Sequence, residues 1–248
     1  MHPLCAIVKD MKLIEPTMED NRNLIRFWDK VFAMSDEDRQ GEMQNSPDSW
    51  KEMAPSEKLF RAAESLGWCS RVLDYGCGNA WASLIAAKSG CTDVTAVDVV
   101  KNGVESARFY AEFFDVADRV HAELIGTDWL RTVPSGSFDG LFCSNVLDVV
   151  PTETAQDIIC QLARVAAKDA RIVIGLNFHM SSEKAKERGI ELVGGRCLYV
   201  DGVLRLVSYS DEEWEKMFAP FFMVEKLEHF AWPGEKAETR RLFYLRKN

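Results

Sequence analysis

From residue 71 onward, short apolar segments rich in β-branched residues alternate with longer segments of helical periodicity. This alternation is typical of βα units, in which the strands form a parallel sheet and the connecting helices cover both of its faces. The predicted strands are residues 71–75, 93–99, 119–124, 138–144 and 171–177. The predicted helices are residues 80–89, 101–114 and 152–167. We therefore expect an α/β fold, a three-layer sandwich built on a mostly parallel sheet.

The C-terminal part departs from this alternation. Asp201-Gly202 lies between the apolar segments 196–200 and 203–207, and Asp-Gly in that position is typical of a β-hairpin. We expect this hairpin to form an insertion at about residues 181–209.

After the insertion, Ser210 with Glu213 three residues later predicts a capping box for a helix through Phe218. Residues 221–230 and 240–246 predict two further strands, of which the last is antiparallel. The sheet would then contain seven strands.

The first 68 residues contain no clear strand pattern. Thr17 and Asp20 predict the start of a helix that runs through Phe32, and Ser56 predicts a second helix that ends before Gly67. Residues 1–68 are too short to hold a separate core comfortably. We expect them to form a helical flank or lid on a domain of residues 69–248, with the whole chain as one structural domain.

The charge balance disfavours several classes of partner. Lys and Arg number 30 against 39 Asp and Glu, so the formal net charge is −9. A negative field of this size repels nucleic acid and anionic membrane surfaces. The first residues contain no signal-peptide core, and no segment approaches the roughly 20 apolar residues that span a bilayer. We expect a cytoplasmic monomer or homodimer with no nucleic-acid or membrane partner.

The cysteines predict neither a disulfide framework nor a metal site. The chain has seven, an odd number, and none is arranged as C-x-x-C or beside a histidine at ligand spacing. Reduced, mostly buried thiols are the expected state, and no metal ligands are predicted. The cysteines are Cys5, Cys69, Cys77, Cys91, Cys143, Cys160 and Cys197.

The most informative segment is residues 72–80, where a strand runs into a glycine turn that opens a helix. Gly76 and Gly78 allow a sharp bend and a close approach to a ligand, and the first turn of the following helix offers free N–H groups. This predicts a nucleotide-type pocket. Trp81 occupies the third glycine position of the dinucleotide motif G-x-G-x-x-G, which argues against a nicotinamide or flavin dinucleotide.

These residues resemble the class I S-adenosylmethionine-dependent methyltransferases of the small-molecule type. In that family an acidic residue ends the first strand and precedes G-x-G-x-G. Here Asp74, Gly76, Cys77 and Gly78 match, and Ala80 replaces the last glycine. The resemblance implies a Rossmann-like fold that binds S-adenosylmethionine and releases S-adenosylhomocysteine.

The resemblance also implies further cofactor contacts. Asp98, with Val99 after it, ends the second strand and would hold both ribose hydroxyls. Asp128 and Trp129, after the third strand, would contact the adenine. Asn145 lies in a segment, residues 138–151, that resembles the family block at the methionine end of the cofactor.

The resemblance implies in-line methyl transfer to an oxygen or nitrogen of a small molecule. The D/N-P-P-Y/F signature of nucleobase and glutamine amino-methyltransferases is absent, since Asn145 is followed by Val146 and Leu147. Two alternatives stay open at this point. One is a catalytically silent module that binds the cofactor, and the other is a nicotinamide-dependent oxidoreductase.

Candidate catalytic and substrate residues follow from their positions near strand ends. His179, after the fifth strand, and Asp148, after the fourth, are the candidate general bases. Trp28, Phe178 and Tyr199 are the candidate walls of the substrate pocket, because the N-terminal helix and the hairpin can fold over the site.

Overall fold

The computed structural model describes residues 18–248, and its centre is a seven-stranded sheet in the order β3-β2-β1-β4-β5-β9-β8. The strands of this sheet are β1 (Val72–Tyr75), β2 (Val94–Asp98), β3 (Val120–Leu124), β4 (Phe138–Ser144), β5 (Ala166–Leu176), β8 (Phe222–Phe230) and β9 (Arg240–Lys247). A separate two-stranded sheet contains β6 (Cys197–Val200) and β7 (Val203–Val207).

The predicted strand directions are confirmed. Strands β1 to β5 pair in parallel, whereas β9 pairs antiparallel with both β5 and β8. The order reverses at β1, where β2 lies on one side and β4 on the other. Ligands of open α/β sheets bind beyond the carboxyl ends of the strands at such a reversal.

Helices cover both faces of the sheet and complete the three predicted layers. The α-helices are α1 (Met18–Val31), α2 (Asp36–Glu42), α3 (Glu57–Glu64), α4 (Trp81–Lys88), α5 (Lys101–Phe113), α6 (Trp129–Thr132), α7 (Thr152–Val165), α8 (Ser182–Glu187) and α9 (Asp211–Phe218). Short 3-10 helices span Pro47–Met53 and Ser65–Trp68.

The core is divided by the sheet. Buried residues of α3, α4 and α5 form one cluster with Val72, whereas those of α6, α7 and α9 form another with Leu73. Neighbouring residues of a strand point to opposite faces, so β1 supplies both clusters and is buried throughout.

One predicted boundary differs in the structure. The helix predicted through Ala167 ends at Val165, and β5 begins at Ala166, five residues earlier than expected. Ala166 pairs with Phe138, whereas Arg171 pairs with Gly140, so the register of β4 and β5 shifts between these pairs. The extra residues of this bulge include Asp169, whose φ is +60°.

The predicted hairpin is confirmed as β6 and β7, with positive φ at both Asp201 and Gly202. Two positive φ values are characteristic of a tight hairpin turn. The hairpin packs against α1, and the guanidinium of Arg205 lies 4.2 Å from the ring centroid of Phe27. The capping box of Ser210 and Glu213 at the start of α9 is also present.

The helix α1 is fixed to α5 as well as to the hairpin. Asn102 donates from its backbone N–H to the carboxylate of Asp29 at 2.9 Å, and from its amide to the Asp29 carbonyl at 2.8 Å. Thr17, the predicted start of this helix, lies outside the described residues. None of the helices in residues 18–248 combines the length and the apolarity needed to cross a membrane.

Candidate cofactor and acceptor site

A cavity of about 440 Å³ opens at the carboxyl ends of β1, β2 and β4 and is closed on one side by α1. This volume lies within the range of ordinary small-molecule pockets. Eight of the predicted site residues line it. They are Asp74, Gly76, Cys77, Gly78, Asp98, Val99, Asn145 and Trp28.

The glycine turn after β1 is tightly enclosed. Gly76 has φ +74°, and a Cβ atom there would lie 2.2 Å from Cγ2 of Val146. Gly78 has φ +53°, and a Cβ atom there would lie 2.6 Å from the ring of Phe32 on the α1 side. Both positions require glycine for conformation and for space. Ala80, the departure from the family motif, also has positive φ, at +59°.

Asp98 fixes the shape of this turn. The N–H of Gly78 donates to one carboxylate oxygen of Asp98 at 2.8 Å, and the N–H of Val100 donates to the other at 2.9 Å. Burial raises the pKa of Asp98, and the backbone hydrogen bonds oppose that rise. Each carboxylate oxygen keeps a further lone pair, so the pair of oxygens can also accept from a vicinal diol.

Asp74 is a buried acid at the end of β1. The hydroxyl of Ser83 donates to its carboxylate at 2.7 Å. Burial raises the pKa of Asp74 to about 7, and the charge of Asp98 adds to the rise. A cationic group placed in the cavity would favour the ionised form of this carboxyl.

Asn145 follows β4 in a conformation that few residue types accept, with φ +57°. Its side-chain oxygen is buried and makes no hydrogen bond within the described part of the chain. An unsatisfied buried acceptor beside a cavity indicates a ligand that donates to it.

The contribution of the third strand differs from the expectation. Ile125 and Thr127 line the cavity, whereas Asp128 is exposed and does not, and Trp129 packs into the core under α7. Of the residues after β3, Thr127 therefore lies on the cavity wall, and Asp128 and Trp129 do not.

The hairpin does not supply the predicted substrate wall. Tyr199 hydrogen-bonds to Asp20 of α1, and Phe178 packs in a small cluster with Met180 and Leu206. Neither lines the cavity, whereas Trp28 does. The hairpin therefore supports α1 from outside the cavity, and α1 itself forms the wall.

The two candidate bases lie outside the cavity. His179 is half-buried, and burial together with the charge of Arg241 lowers its pKa. Asp148 is fully buried and accepts from the N–H of Asn177 at 2.6 Å. Arg241, 1% exposed, donates to the carbonyl of Asn177 at 2.7 Å. Asp148 thus contacts the segment after β5 near the charge of Arg241, whereas a general base has to reach the reacting atom.

We expect Asp148→Ala to lower the free energy of unfolding by about 3 kcal/mol, because it leaves the N–H of Asn177 without its acceptor and removes a negative charge close to the buried guanidinium of Arg241. Ligand affinity of the folded variant should change less than about threefold, since Asp148 lies outside the cavity. Urea unfolding and calorimetry check the two values. Glu238→Ala, which breaks an exposed pair with Lys58, is the control and should cost less than about 1 kcal/mol. A fully stable Asp148→Ala variant without activity would restore the catalytic role.

Comparisons with known proteins agree with this geometry. Residues 72–169 match the family model described as methyltransferase domain. A ubiquinone biosynthesis O-methyltransferase of Neisseria meningitidis serogroup C is 27% identical over 150 residues, which cover 60% of this chain. Residues 72–169 thus match a methyltransferase domain, and the relatives and the fold support the class I S-adenosylmethionine-dependent type. The match spans 58% of the length of the Neisseria relative.

Solved structures show the same fold. The 1,6-didemethyltoxoflavin-N1-methyltransferase of Burkholderia thailandensis, 18% identical, has a TM-score of 0.63 over 96% of this chain and 92% of that one. The N-methyltransferase NodS of Bradyrhizobium japonicum, 14% identical, has a TM-score of 0.60 over 91% of this chain and 98% of that one. The predicted Rossmann-like class is thereby confirmed.

Several residues of this candidate site were not predicted. Phe32, Met53 and Trp232 line the cavity, although they come from segments far apart in the sequence. Their apolar side chains gave no local signal that separates a cavity wall from a core position. Trp81 also lines the cavity, whereas the sequence indicated only that it disfavours a dinucleotide.

Within residues 18–248, no group of three or more His, Cys, Asp or Glu side chains could hold a metal ion. None of the six cysteines in this range forms a disulfide bond.

Proposed function

We propose that this chain is a methyltransferase that uses S-adenosylmethionine to methylate an oxygen or nitrogen of a small molecule. The observation that carries the proposal is one continuous cavity at the reversal of strand order, lined by the glycine turn, by Asp98 and by apolar side chains such as Leu24 and Trp28. A cofactor and a second molecule can therefore lie side by side in it. The Neisseria relative is named an O-methyltransferase, and the two solved structures are named N-methyltransferases.

Each part of the cofactor has a complementary group in the cavity. Asp98 would accept from the two ribose hydroxyls, while Val99 and Thr127 would border the adenine. Asp74 and Asn145 offer oxygen acceptors to the ammonium group of the methionine part. The unsatisfied oxygen of Asn145, and the position of Asn145 and Asp74 on the cavity wall, support this fit.

The bound cofactor would supply a methyl group on a sulfonium, ready for in-line displacement. The residues of the chain would position the acceptor and exclude water, and these effects alone account for a large acceleration in bimolecular reactions. Trp28 and Phe32 of the α1 side close the cavity over the glycine turn. No histidine or lysine among the described residues lines it, so the acceptor atom has to be nucleophilic without a strong base from the chain.

The two alternatives are less well supported by the cavity. A module that only binds the cofactor has no need of an apolar chamber beside it. A nicotinamide dinucleotide would need close packing of the backbone at the third glycine position of its motif. The indole of Trp81 occupies that position and packs edge-on against Phe142, with ring centroids 5.3 Å apart.

Calorimetric titration with S-adenosylmethionine, S-adenosylhomocysteine and NADH tests the proposal. We expect micromolar binding of the first two ligands and no binding of NADH. Binding of NADH alone would favour the oxidoreductase. Binding of the first pair with no methyl transfer to any member of a broad phenol, catechol and heterocycle panel would favour the silent module.

The affinity for S-adenosylhomocysteine should rise with pH. The pKa of Asp74 is about 7. At a pH below this value the carboxyl is mostly protonated in the free protein and cannot pair with the ammonium group. At pH 6 about a tenth of this carboxyl is ionised, so the Kd should be about tenfold higher than at pH 8. Titrations at the two pH values measure the ratio.

Two controls isolate Asp74. Asp74→Asn should bind more weakly and with little pH dependence, because the titrating group is gone. 5′-Methylthioadenosine, which lacks the ammonium group, should bind the unchanged protein equally at both pH values. An equal pH dependence in the Asp74→Asn variant would assign the titration to another group.

A further inference from the structure

On the proposed function, we infer that the methyl acceptor is a flat, uncharged aromatic molecule without a phosphate, sulfate or carboxylate group away from the reacting atom. The inference concerns the part of the cavity that the cofactor-binding turns do not line, which we name the acceptor chamber. The residues that define it are Leu24, Trp28, Met53, Trp81, Val150 and Trp232.

Aromatic side chains form much of the acceptor chamber. Trp28 comes from α1, Trp81 from α4, and Trp232 from the loop between β8 and β9. Two of them are held by neighbouring groups: Trp28 stacks on Phe32 with centroids 5.6 Å apart, and the guanidinium of Arg240 lies 4.9 Å from the Trp232 ring centroid. Rigid aromatic walls favour a flat ring that packs against them.

The charges around the acceptor chamber disfavour an anion. Among the described residues that line the cavity there is no lysine, arginine or histidine, whereas Asp74, Asp98 and Asp157 are acidic. Asp157 is paired with Arg131 at 2.7 Å. An anionic group bound here would lose its water and gain no counter-charge from the walls.

Two nearby arginines do not change this balance. Arg240 pairs with the carboxylate of Glu235 at 2.7 Å, and it also donates to the side chain of Asn177. Arg205 lies over the ring of Phe27. Neither arginine lines the cavity.

An unsatisfied donor adds a requirement on the acceptor molecule. The indole Nε1 of Trp232 is buried and has no hydrogen-bond partner in the part of the chain that the structure describes. The backbone of Trp232 is fixed, since its N–H donates to Glu235 at 2.8 Å. An uncharged oxygen or ring nitrogen of the acceptor molecule would satisfy this donor.

The test compares two probes of similar shape and different charge, 2-naphthol and 2-naphthoate, on the full chain saturated with S-adenosylhomocysteine. We expect calorimetry at neutral pH to give a Kd for 2-naphthol at least about tenfold below that for 2-naphthoate, since the carboxylate finds no cation. Equal or tighter binding of 2-naphthoate, or no binding of either probe, would overturn the inference. Failure of S-adenosylhomocysteine itself to bind would overturn the proposed function instead.

A pair of variants tests the assignment to Trp232. Trp232→Phe keeps an aromatic ring and removes the N–H, so the Kd for 2-naphthol should rise about fivefold while that for S-adenosylhomocysteine stays unchanged. Trp68→Phe, at a position 85% exposed and outside the cavity, should change neither value. Equal 2-naphthol binding by the two variants would contradict the role of the Trp232 donor.

Discussion

Gly76→Ala is expected to abolish measurable cofactor binding and to lower the free energy of unfolding by about 3 kcal/mol or more. The backbone at Gly76 has φ +74°, and the new Cβ would lie 2.2 Å from Cγ2 of Val146. Both the turn and the segment after β4 must move to relieve this contact, and both line the cavity. Urea unfolding and calorimetry with S-adenosylhomocysteine measure the two effects.

Gly202→Ala is the matched control, because Gly202 also has φ +74° but has no atom within 4 Å of an added Cβ. It should cost only the backbone strain, about 1–2 kcal/mol, and leave cofactor affinity unchanged. The double variant Gly76→Ala with Val146→Ala should recover part of the stability, since Val146 provides the clash. Equal effects of the two single glycine variants would show that the contact between the added Cβ and Val146 is unimportant.

Asp98→Asn is expected to weaken binding of S-adenosylhomocysteine about 100-fold. The substitution removes the negative charge and replaces one of the two carboxylate oxygens that would accept from the ribose hydroxyls with an NH2 group. It also faces the N–H groups of Gly78 and Val100 with one oxygen instead of two, so we expect some loss of stability. Calorimetry gives the affinity, and circular dichroism shows whether the variant is folded.

Asp128→Asn is the matched control for Asp98→Asn. The family resemblance implies a cofactor contact for Asp128, whereas the structure shows this residue exposed and outside the cavity. We expect wild-type affinity for Asp128→Asn. A large loss there, together with a small loss for Asp98→Asn, would reverse the placement of the cofactor.

The strands, the helices and the glycine turn could be predicted because each depends on short stretches of sequence. Each signal acts over a few residues: the short apolar runs rich in β-branched residues, the capping box of Ser210 and the turn at Asp201-Gly202. Asp98 was also identifiable, since the end of β2 must lie beside the end of β1 in a parallel sheet. The structure shows its carboxylate bonded to the turn that follows β1.

The sequence by itself determined the sheet, the glycine turn and the acid beside it, because local periodicity and steric limits specify them. Only the tertiary structure decided that Thr127 and not Asp128 faces the cavity. It also decided that Asp148 accepts from the N–H of Asn177 near the charge of Arg241. The position of Trp232 in the acceptor chamber likewise depends on the tertiary structure. These outcomes depend on the direction of each side chain and on the packing of segments distant in the chain. The local pattern of apolar and polar residues encodes neither the direction of a side chain outside regular structure nor the packing of distant segments.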